Sequence, residues 1–301
     1  MVRYINPYTD FGFKKLFGTK VNKDLLISFL NALFNGEEVV VDLTYNNVEI
    51  QGLTRLDRNA IFDVFCTNDK GERFIVEMQK AEQQYFKDRS IFYASFPIQE
   101  QARRGHDWNF HLKGVYFIGI LDFVFPEDEY STDCFHHEIK LMDVDDKHVF
   151  YDKLTFIYLE MPKFNKTEDQ LVTMFDKWMF CLKNLWHLLD RPAALQERVF
   201  KRLFREAEIA RFTPEERKSY EHSLMVYRDL VNVVDFAEKK GIAQGREEGI
   251  AQGREEGIAQ GREEGILEGK KAVAKSLLQA GMSKEEVKHA TGLTDADLVG
   301  L

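Results

Sequence analysis

Two carboxylates interrupt apolar segments that otherwise have the composition of β-strands. Asp63 lies in the segment AIFDVFC and Glu77 lies in FIVEMQ, with the turn-forming residues NDKG between the two segments. Burying an ionised carboxylate is costly unless it is paired, protonated or bound to a cation. We therefore expect residues 58–80 to form a hairpin whose two acids act together.

The pairing register of this hairpin decides whether the two acids meet. Pairing of Thr67 with Glu72 would put the two acids on opposite faces. Pairing of Thr67 with Arg73 would put them side by side on one face. We expect the second register, because two isolated buried acids cost far more free energy than a pair that shares a cation.

Side-chain alternation extends this prediction to the neighbouring residues. Gln79 should share the face of Glu77, whereas Lys80 should point to the opposite side of the strand. On the first strand, alternation puts Ile61, Asp63 and Phe65 on one face and Phe62 and Val64 on the other.

Paired acids on adjacent strands can hold Mg²⁺ against a phosphodiester. Mg²⁺ prefers hard oxygen ligands and binds through one or two carboxylates together with substrate phosphate oxygens. A bound metal polarises the phosphoryl oxygen and activates a water molecule for in-line attack. The alternative is structural, because an acid in a strand is often paired with an arginine. Arg58 or Arg73 could serve Asp63 or Glu77 in that way.

Several motifs together resemble one protein family. They are NPYTDFGFKKLFG near the start, IFDVFC, EMQ followed by a segment with Arg89 and Tyr93, the apolar segment after Lys113, LEMPKF, and a glycine-periodic GREEG tail. Over roughly residues 6–240 the chain resembles the PD-(D/E)XK nuclease superfamily, in its branch of recombination-promoting nucleases (Rpn) and transposase-like proteins.

The resemblance implies a fold, an activity and a set of site residues. The implied fold class is α/β, with a restriction-endonuclease-like αβββαβ core, a mixed central sheet and a helical C-terminal region. The implied activity is cleavage of DNA by an endonuclease that depends on Mg²⁺, or else on Mn²⁺ or Ca²⁺. Asp63 and Glu77 would be the metal ligands and Gln79 the third motif residue. Asp10 would be an auxiliary acid, although a helix cap is the commoner role for such a residue.

Gln79 stands where the commoner pattern of the superfamily has lysine. Glutamine can orient water, but it cannot neutralise developing negative charge as an ammonium group does. That charge would then be stabilised by the metal or by a basic residue from elsewhere, for which Lys14 and Arg89 are candidates. Arg89, Arg103 and Arg104 could form a DNA track or, equally, a solvated helix face.

Composition limits the class of protein. With 301 residues, 44% of them hydrophobic, the chain can bury a large core. Its net charge of -9 does not favour nucleic-acid binding overall, but it leaves room for local basic groups. Three distant cysteines form neither a zinc spacing nor a disulfide framework. The start of the chain lacks an apolar signal core, and no apolar run is long enough to cross a bilayer. We therefore expect a cytoplasmic protein with no membrane association.

Hydrophobic periodicity and turn signals predict the supporting elements. Helices are expected over residues 10–18, 22–36, 83–105 with an irregularity at Pro97, 167–189 with a cap at Thr167, and within 191–240. Further strands are expected over residues 39–43, 113–125, 134–142 and 153–161.

The C-terminal region contains an internal repeat. GIAQGREE occurs three times over residues 241–264, and glycine falls at every fourth position from Gly241 to Gly269. Each glycine costs a helix about 1 kcal/mol relative to alanine, but a stripe of glycines lets two backbones approach closely. We predict a marginal helical spacer that is stabilised by self-association. In the tail, Ser283 and Glu286 form a capping box, and the layout suggests a small helix-turn-helix-like unit or, more plainly, a helical cap.

The sequence thus predicts four parts and two functional hypotheses. The parts are a nuclease-like domain over residues 1–190, a helical extension over 191–240, the repeat over 241–269 and the helical tail over 270–301. The first hypothesis is a metal-dependent DNA endonuclease with low sequence specificity, linked to recombination, mobile DNA or phage defence. The second is a catalytically inactive protein of the same fold that associates with DNA or forms homo-oligomers through its C-terminal helical region.

Overall fold

The structure is a computed structural model that describes residues 2–36, 39–50, 60–102, 110–126 and 134–299. Arg58, Arg103 and Arg104 lie outside the described residues. The chain forms two compact units, Met1–Asn232 and Val233–Leu301. The boundaries at residues 190, 240 and 269 stay predictions.

A six-stranded mixed sheet forms the centre of the first unit. The strands of the chain are β1 (Leu43–Tyr45), β2 (Glu49–Ile50), β3 (Ala60–Ile61), β4 (Val64–Asn68), β5 (Arg73–Gln79), β6 (Val115–Leu121), β7 (His136–Met142) and β8 (Val149–Glu160). The central sheet has the order β1-β4-β5-β6-β8-β7, and β2 pairs with β3 separately. β5, β6 and β8 run parallel, whereas β4 and β7 are antiparallel to their neighbours. The predicted α/β class with a mixed central sheet is confirmed.

Seven α-helices lie in the described part of the chain. They are α1 (Asp10–Phe17), α2 (Lys23–Phe34), α3 (Phe86–Glu100), α4 (Met174–Asn184), α5 (Arg198–Ala207), α6 (Pro214–Gln279) and α7 (Lys284–Thr291). The order α1, α2, β1, β4, β5, α3, β6 contains the expected αβββαβ core. Pro97 is accommodated inside α3.

Some element boundaries differ from the sequence-based prediction. Thr167 caps a short 3₁₀ turn, Glu168–Gln170, and not the following α-helix. Leu171 then adopts an extended conformation, and α4 begins after Thr173, which forms its own capping box with Asp176. Two capping signals six residues apart therefore start two separate elements. The expected strand over residues 39–43 begins only at Leu43.

The sheet buries a separate hydrophobic cluster on each face. One cluster joins the sheet to α1, α2, α4 and α5, with Trp178 among its fully buried members. The other joins the opposite face to α3. Along β5, Phe74, Val76 and Met78 enter the first cluster and Ile75 enters the second. The odd-numbered residues of β5, including Glu77 and Gln79, thus belong to the face that α3 covers.

The predicted alternation on the preceding strand is wrong at one residue. Phe62 packs in the same cluster as Phe65, whereas Val64 packs in the other. The strand is interrupted at Phe62 and Asp63, between β3 and β4. Because period-two alternation applies only within a continuous strand, Phe62 does not share the face of Val64.

The second unit contains the remainder of α6 and the helix α7. A small apolar cluster of Ala274, Val287, Leu293 and Leu298 packs them together. The predicted capping box is confirmed, because the Glu286 carboxylate accepts the backbone N–H of Ser283 at 2.9 Å. The isoleucines of the repeat, Ile242, Ile250, Ile258 and Ile266, are 65%, 63%, 62% and 53% exposed. None of the helices in the described ranges has both the length and the apolar composition needed to cross a membrane.

Candidate active site

The hairpin of β4 and β5 has the register that brings the two acids together. Thr67 pairs with Arg73, and the ladder continues to the pair Val64 and Val76. One further step along this ladder puts Asp63 opposite Glu77. The predicted register is confirmed.

Hydrogen bonds from the backbone join the two acids across the end of the ladder. Glu77 Oε1 accepts the backbone N–H of Asp63 at 3.1 Å. Asp63 Oδ2 accepts the backbone N–H of Met78 at 2.9 Å. Within the described part of the chain, the other oxygen of each carboxylate, Asp63 Oδ1 and Glu77 Oε2, has no hydrogen-bond donor.

Burial raises the pKa values of both carboxyl groups. Glu77 is 6% exposed. Its desolvation, together with the nearby Asp63 carboxylate, raises the pKa of Glu77 to about 8. Burial also raises the pKa of Asp63, although the hydrogen bond from Met78 opposes this shift. Two desolvated carboxylates with free oxygens fit a hard divalent cation, which would relieve their mutual repulsion.

A cavity of about 280 Å³ opens above the acid pair. Five of the predicted site residues line it, namely Asp10, Asp63, Glu77, Gln79 and Arg89. The sixth, Lys14, lines a larger cavity of about 850 Å³. The two cavities share Asp10, Asp63 and Lys80 in their walls. The structure thus brings all the predicted site residues to one region of the first unit.

Most of the chain matches one known protein family. The sequence profile of the family described as "PD-(D/E)XK nuclease family transposase" matches residues 7–237, which is more than half of the chain. The chain belongs to this family. Its nuclease-like character follows from that membership, and PD-(D/E)XK nucleases generally depend on a divalent metal ion and act on DNA. No curated protein and no solved structure matches the chain significantly.

In this PD-(D/E)XK family member, Arg89 holds the side chain of Gln79. Arg89 Nη2 donates to Gln79 Oε1 at 2.7 Å, and Gln79 Nε2 donates to the carbonyl oxygen of Ala81 at 2.9 Å. The guanidinium also bonds Gln83 and lies 5.1 Å and 5.6 Å from the ring centroids of Phe86 and Tyr93. Among the described residues, the second hydrogen of the Gln79 amide has no acceptor.

The first turn of α1 contributes a charged pair. Thr9, and not Asp10, caps this helix, because its hydroxyl accepts the N–H of Gly12 at 3.0 Å. The Asp10 carboxylate is therefore free to pair with Lys14 at 2.7 Å, four residues later. The negative charge of Asp10 contributes to the raised pKa of Asp63, and the positive charge of Lys14 opposes it. Both auxiliary residues act on the acid pair electrostatically.

The prediction that Lys80 points to the opposite side of the strand from Glu77 stays a prediction. β5 ends at Gln79, so alternation no longer applies to the next residue. Lys80 lines both cavities together with Asp63. Burial lowers the pKa of Lys80, while the nearby carboxylates of Asp10 and Asp63 oppose this shift. Its position next to the EMQ motif was the one signal in the sequence.

A wall of the larger cavity comes from a distant part of the chain. The residues of α6 that line it are Glu216, Ser219, His222, Ser223 and Val226. Lys15 of α1 forms an ion pair with Glu216, which ties the two helices at this wall. Sequence reasoning missed these residues, because about 140 positions separate them from the EMQ motif and no local pattern links them to it.

A separate group of possible ligands lies between β7 and β8. One oxygen or nitrogen atom from each of Asp143, Asp146 and His148 lies within 4.8 Å of the others. Among the described residues, Asp10, Asp63 and Glu77 do not form such a group of three. A metal at the hairpin would therefore have two clustered carboxylates and would depend on water and substrate for its other ligands.

Proposed function

We propose that this PD-(D/E)XK family member is a metal-dependent DNA endonuclease that hydrolyses phosphodiester bonds with low sequence specificity. Its role would be in recombination, mobile DNA or phage defence, and its location cytoplasmic. The observation that carries the proposal is the side-by-side position of Asp63 and Glu77 beneath a polar cavity. Family membership favours a catalytic role for the two acids. Without it, acids in a strand would fit a structural role equally well.

The residues at the hairpin take separate roles in this proposal. Asp63 and Glu77 would hold Mg²⁺, or else Mn²⁺ or Ca²⁺, through the carboxylate oxygens that lack hydrogen bonds. The ion would supply Lewis-acid polarisation of the phosphate and a lowered pKa for its bound water. Gln79 would orient the attacking water with its remaining N–H, and Arg89 would hold the amide of Gln79 in that orientation.

The two auxiliary residues on α1 would adjust the charge beside the metal ligands. The positive charge of Lys14 opposes the burial-driven rise in the pKa values of Asp63 and Glu77, which favours their ionised, metal-binding forms. Asp10 is available as a further oxygen ligand through water, because it lines both cavities beside Asp63. Neither residue needs to touch the metal directly to have this effect.

Plasmid nicking tests the proposal directly. The full-length protein should cut supercoiled DNA with Mg²⁺ or Mn²⁺ and should lose this activity in EDTA. Asp63→Ala should abolish cutting, whereas Asp69→Ala, which alters an exposed acid in the turn of the same hairpin, should cut at the wild-type rate. Cleavage that survives Asp63→Ala would reject the proposed site.

A second proposal concerns assembly. We propose that the chain forms homo-oligomers through its C-terminal helical region. The supporting observation is a set of exposed isoleucines, one in each repeat of α6 and one in the segment that follows. If no metal supports cleavage while DNA binding or assembly is intact, the chain would act as an inactive protein of the nuclease fold.

A further inference from the structure

The positive charges around the acid pair differ in how they are neutralised. Lys14 is paired with Asp10, and Lys15 is paired with Glu216. Arg89 directs its two terminal nitrogens at two glutamine side chains, Gln79 and Gln83. These cations are therefore engaged with protein groups before any substrate arrives.

Lys80 differs from these residues. Within the part of the chain that the structure describes, no carboxylate oxygen lies within 4.0 Å of its ammonium nitrogen. Lys80 is half-buried, and it lines both the small cavity above Glu77 and the larger cavity between α1 and α6. An ammonium group that is partly desolvated and lacks an ion-pair partner retains its capacity to bind an anion.

The position of Lys80 matches what a bound phosphodiester requires. Asp63 is the one proposed metal ligand that lines both cavities, and Lys80 shares both walls with it. A phosphate group that entered either cavity at Asp63 would therefore meet a wall that Lys80 helps to form. Gln79 cannot supply positive charge there, and its amide oxygen is already occupied by Arg89.

We propose that Lys80 is a catalytic residue, whose ammonium group contacts a non-bridging oxygen of the scissile phosphate and stabilises the charge that develops on it during hydrolysis. This inference rests on the proposed endonuclease function. It predicts that the charge of Lys80, and not only its volume, is required.

Two measurements on the full-length protein test this inference. The first is the single-turnover rate of plasmid nicking with Mg²⁺. The second is the salt dependence of binding to a short DNA duplex with Ca²⁺, under conditions where a gel shows the duplex to be intact. Lys80→Ala should lower the rate by about 100-fold, as the loss of one preorganised charge-stabilising donor does elsewhere. It should also reduce the slope of log Kd against log salt concentration by about 0.9, which corresponds to one phosphate contact.

Two variants complete the design. Lys80→Arg, which keeps the charge, should restore the salt slope and part of the rate. Lys201→Ala, at an exposed lysine on α5, should leave both unchanged. An unchanged salt slope for Lys80→Ala, or a rate within threefold of wild type, overturns the inference. If the wild-type protein does not cut DNA with any metal, the proposed endonuclease function is rejected independently of Lys80. The salt slope then decides whether Lys80 contacts phosphate.

Discussion

Asp63 and Glu77 each accept a hydrogen bond from the backbone of the other's segment. Glu77 Oε1 accepts the N–H of Asp63, and Asp63 Oδ2 accepts the N–H of Met78, which follows Glu77. These two bonds take the place of the next ladder hydrogen bonds after Val64 and Val76. The two side chains are therefore preorganised side by side, and their repulsion is balanced by backbone donors.

The first prediction concerns pH and the stability of the metal-free protein. Burial and the Asp63 charge raise the pKa of Glu77 from 4.5 to about 8. Between these two values the folded state binds more protons than the unfolded state, so stability falls as pH rises. The contribution of Glu77 to the free energy of unfolding is fully present below pH 4.5 and is lost by about pH 8. Urea unfolding in EDTA should show a loss on the order of a few kcal/mol across this window.

Glu77→Gln removes the titrating group and keeps the shape of the side chain. This variant should flatten the pH dependence and should be more stable than the wild-type protein at pH 8 in EDTA. Glu82→Gln, at an exposed acid close by, should retain the wild-type pH dependence. A wild-type protein whose stability does not change between pH 5 and 8 would contradict this prediction.

The second prediction locates the cation site. Ca²⁺ at 100 times its dissociation constant should stabilise the folded protein by about 2.7 kcal/mol, because it binds the folded state only. For a chain of 301 residues that corresponds to a rise in Tm of about 4 °C. Asp63→Asn should abolish the rise if the ion binds at the hairpin.

The possible ligand group between β7 and β8, formed by Asp143, Asp146 and His148, provides the control for the hairpin site. Asp143→Asn combined with Asp146→Asn removes two of its possible ligands and should leave the Ca²⁺-dependent rise in Tm intact. If this double variant loses the rise and Asp63→Asn keeps it, the cation binds between β7 and β8 and not at the hairpin. Differential scanning fluorimetry with and without Ca²⁺ is sufficient to distinguish the two sites.

The third prediction explains part of the LEMPKF motif. Glu160, at the end of β8, is fully buried (0% exposed). Its carboxylate accepts the N–H of Phe125 at 2.6 Å and pairs with Lys163 at 2.7 Å and His137 at 3.1 Å. Lys163→Met would leave this buried charge without its main cation. We expect a loss of about 3 to 5 kcal/mol in the free energy of unfolding.

Adding Glu160→Gln to Lys163→Met removes the buried charge and should recover part of this loss. Lys23→Ala breaks the more exposed ion pair with Asp42 and should cost less than about 1 kcal/mol. Urea unfolding monitored by tryptophan fluorescence measures all three variants. Equal destabilisation by Lys163→Met and Lys23→Ala would show that burial does not strengthen the first pair.

The fourth prediction concerns assembly through the repeat. Replacement of Ile242, Ile250, Ile258 and Ile266 by glutamine should lower the oligomeric mass measured by light scattering, because these exposed side chains would supply the apolar contact in the proposed interface. Replacement of Glu247, Glu255 and Glu263 by glutamine, at exposed positions of the same helix, should leave the mass unchanged. A mass that does not respond to the isoleucine substitutions contradicts the proposed interface.

Glycine variants test the second regular feature of the repeat, which is the glycine at every fourth position. A Cβ atom at Gly249 or Gly257 would have no atom of another described part of the chain within 4 Å, so alanine is sterically allowed in the isolated chain. Each substitution should raise helix stability by about 1 kcal/mol. A fall in mass for Gly249→Ala with Gly257→Ala would place the glycine stripe, and not the isoleucines, at the contact between copies.

The sequence by itself determined the features that depend on local pattern. Alternation along β5 and the cost of burying single acids were sufficient to select the hairpin register that joins Asp63 and Glu77. The capping box at Ser283 and the amphipathic helix α2 followed from patterns within a few residues of each element. These features are encoded locally because neighbouring residues supply both the hydrogen bonds and the apolar face.

Only the tertiary structure decided which distant groups meet at the acid pair. Lys80 lines both cavities beside Asp63 at the point where β5 has ended, and the end of a strand depends on its partners in the sheet. The wall from α6 depends on how that helix packs beside α1, about 200 residues earlier in the chain. Such contacts form between surfaces brought together by folding of the whole unit, so no local spacing in the sequence records them.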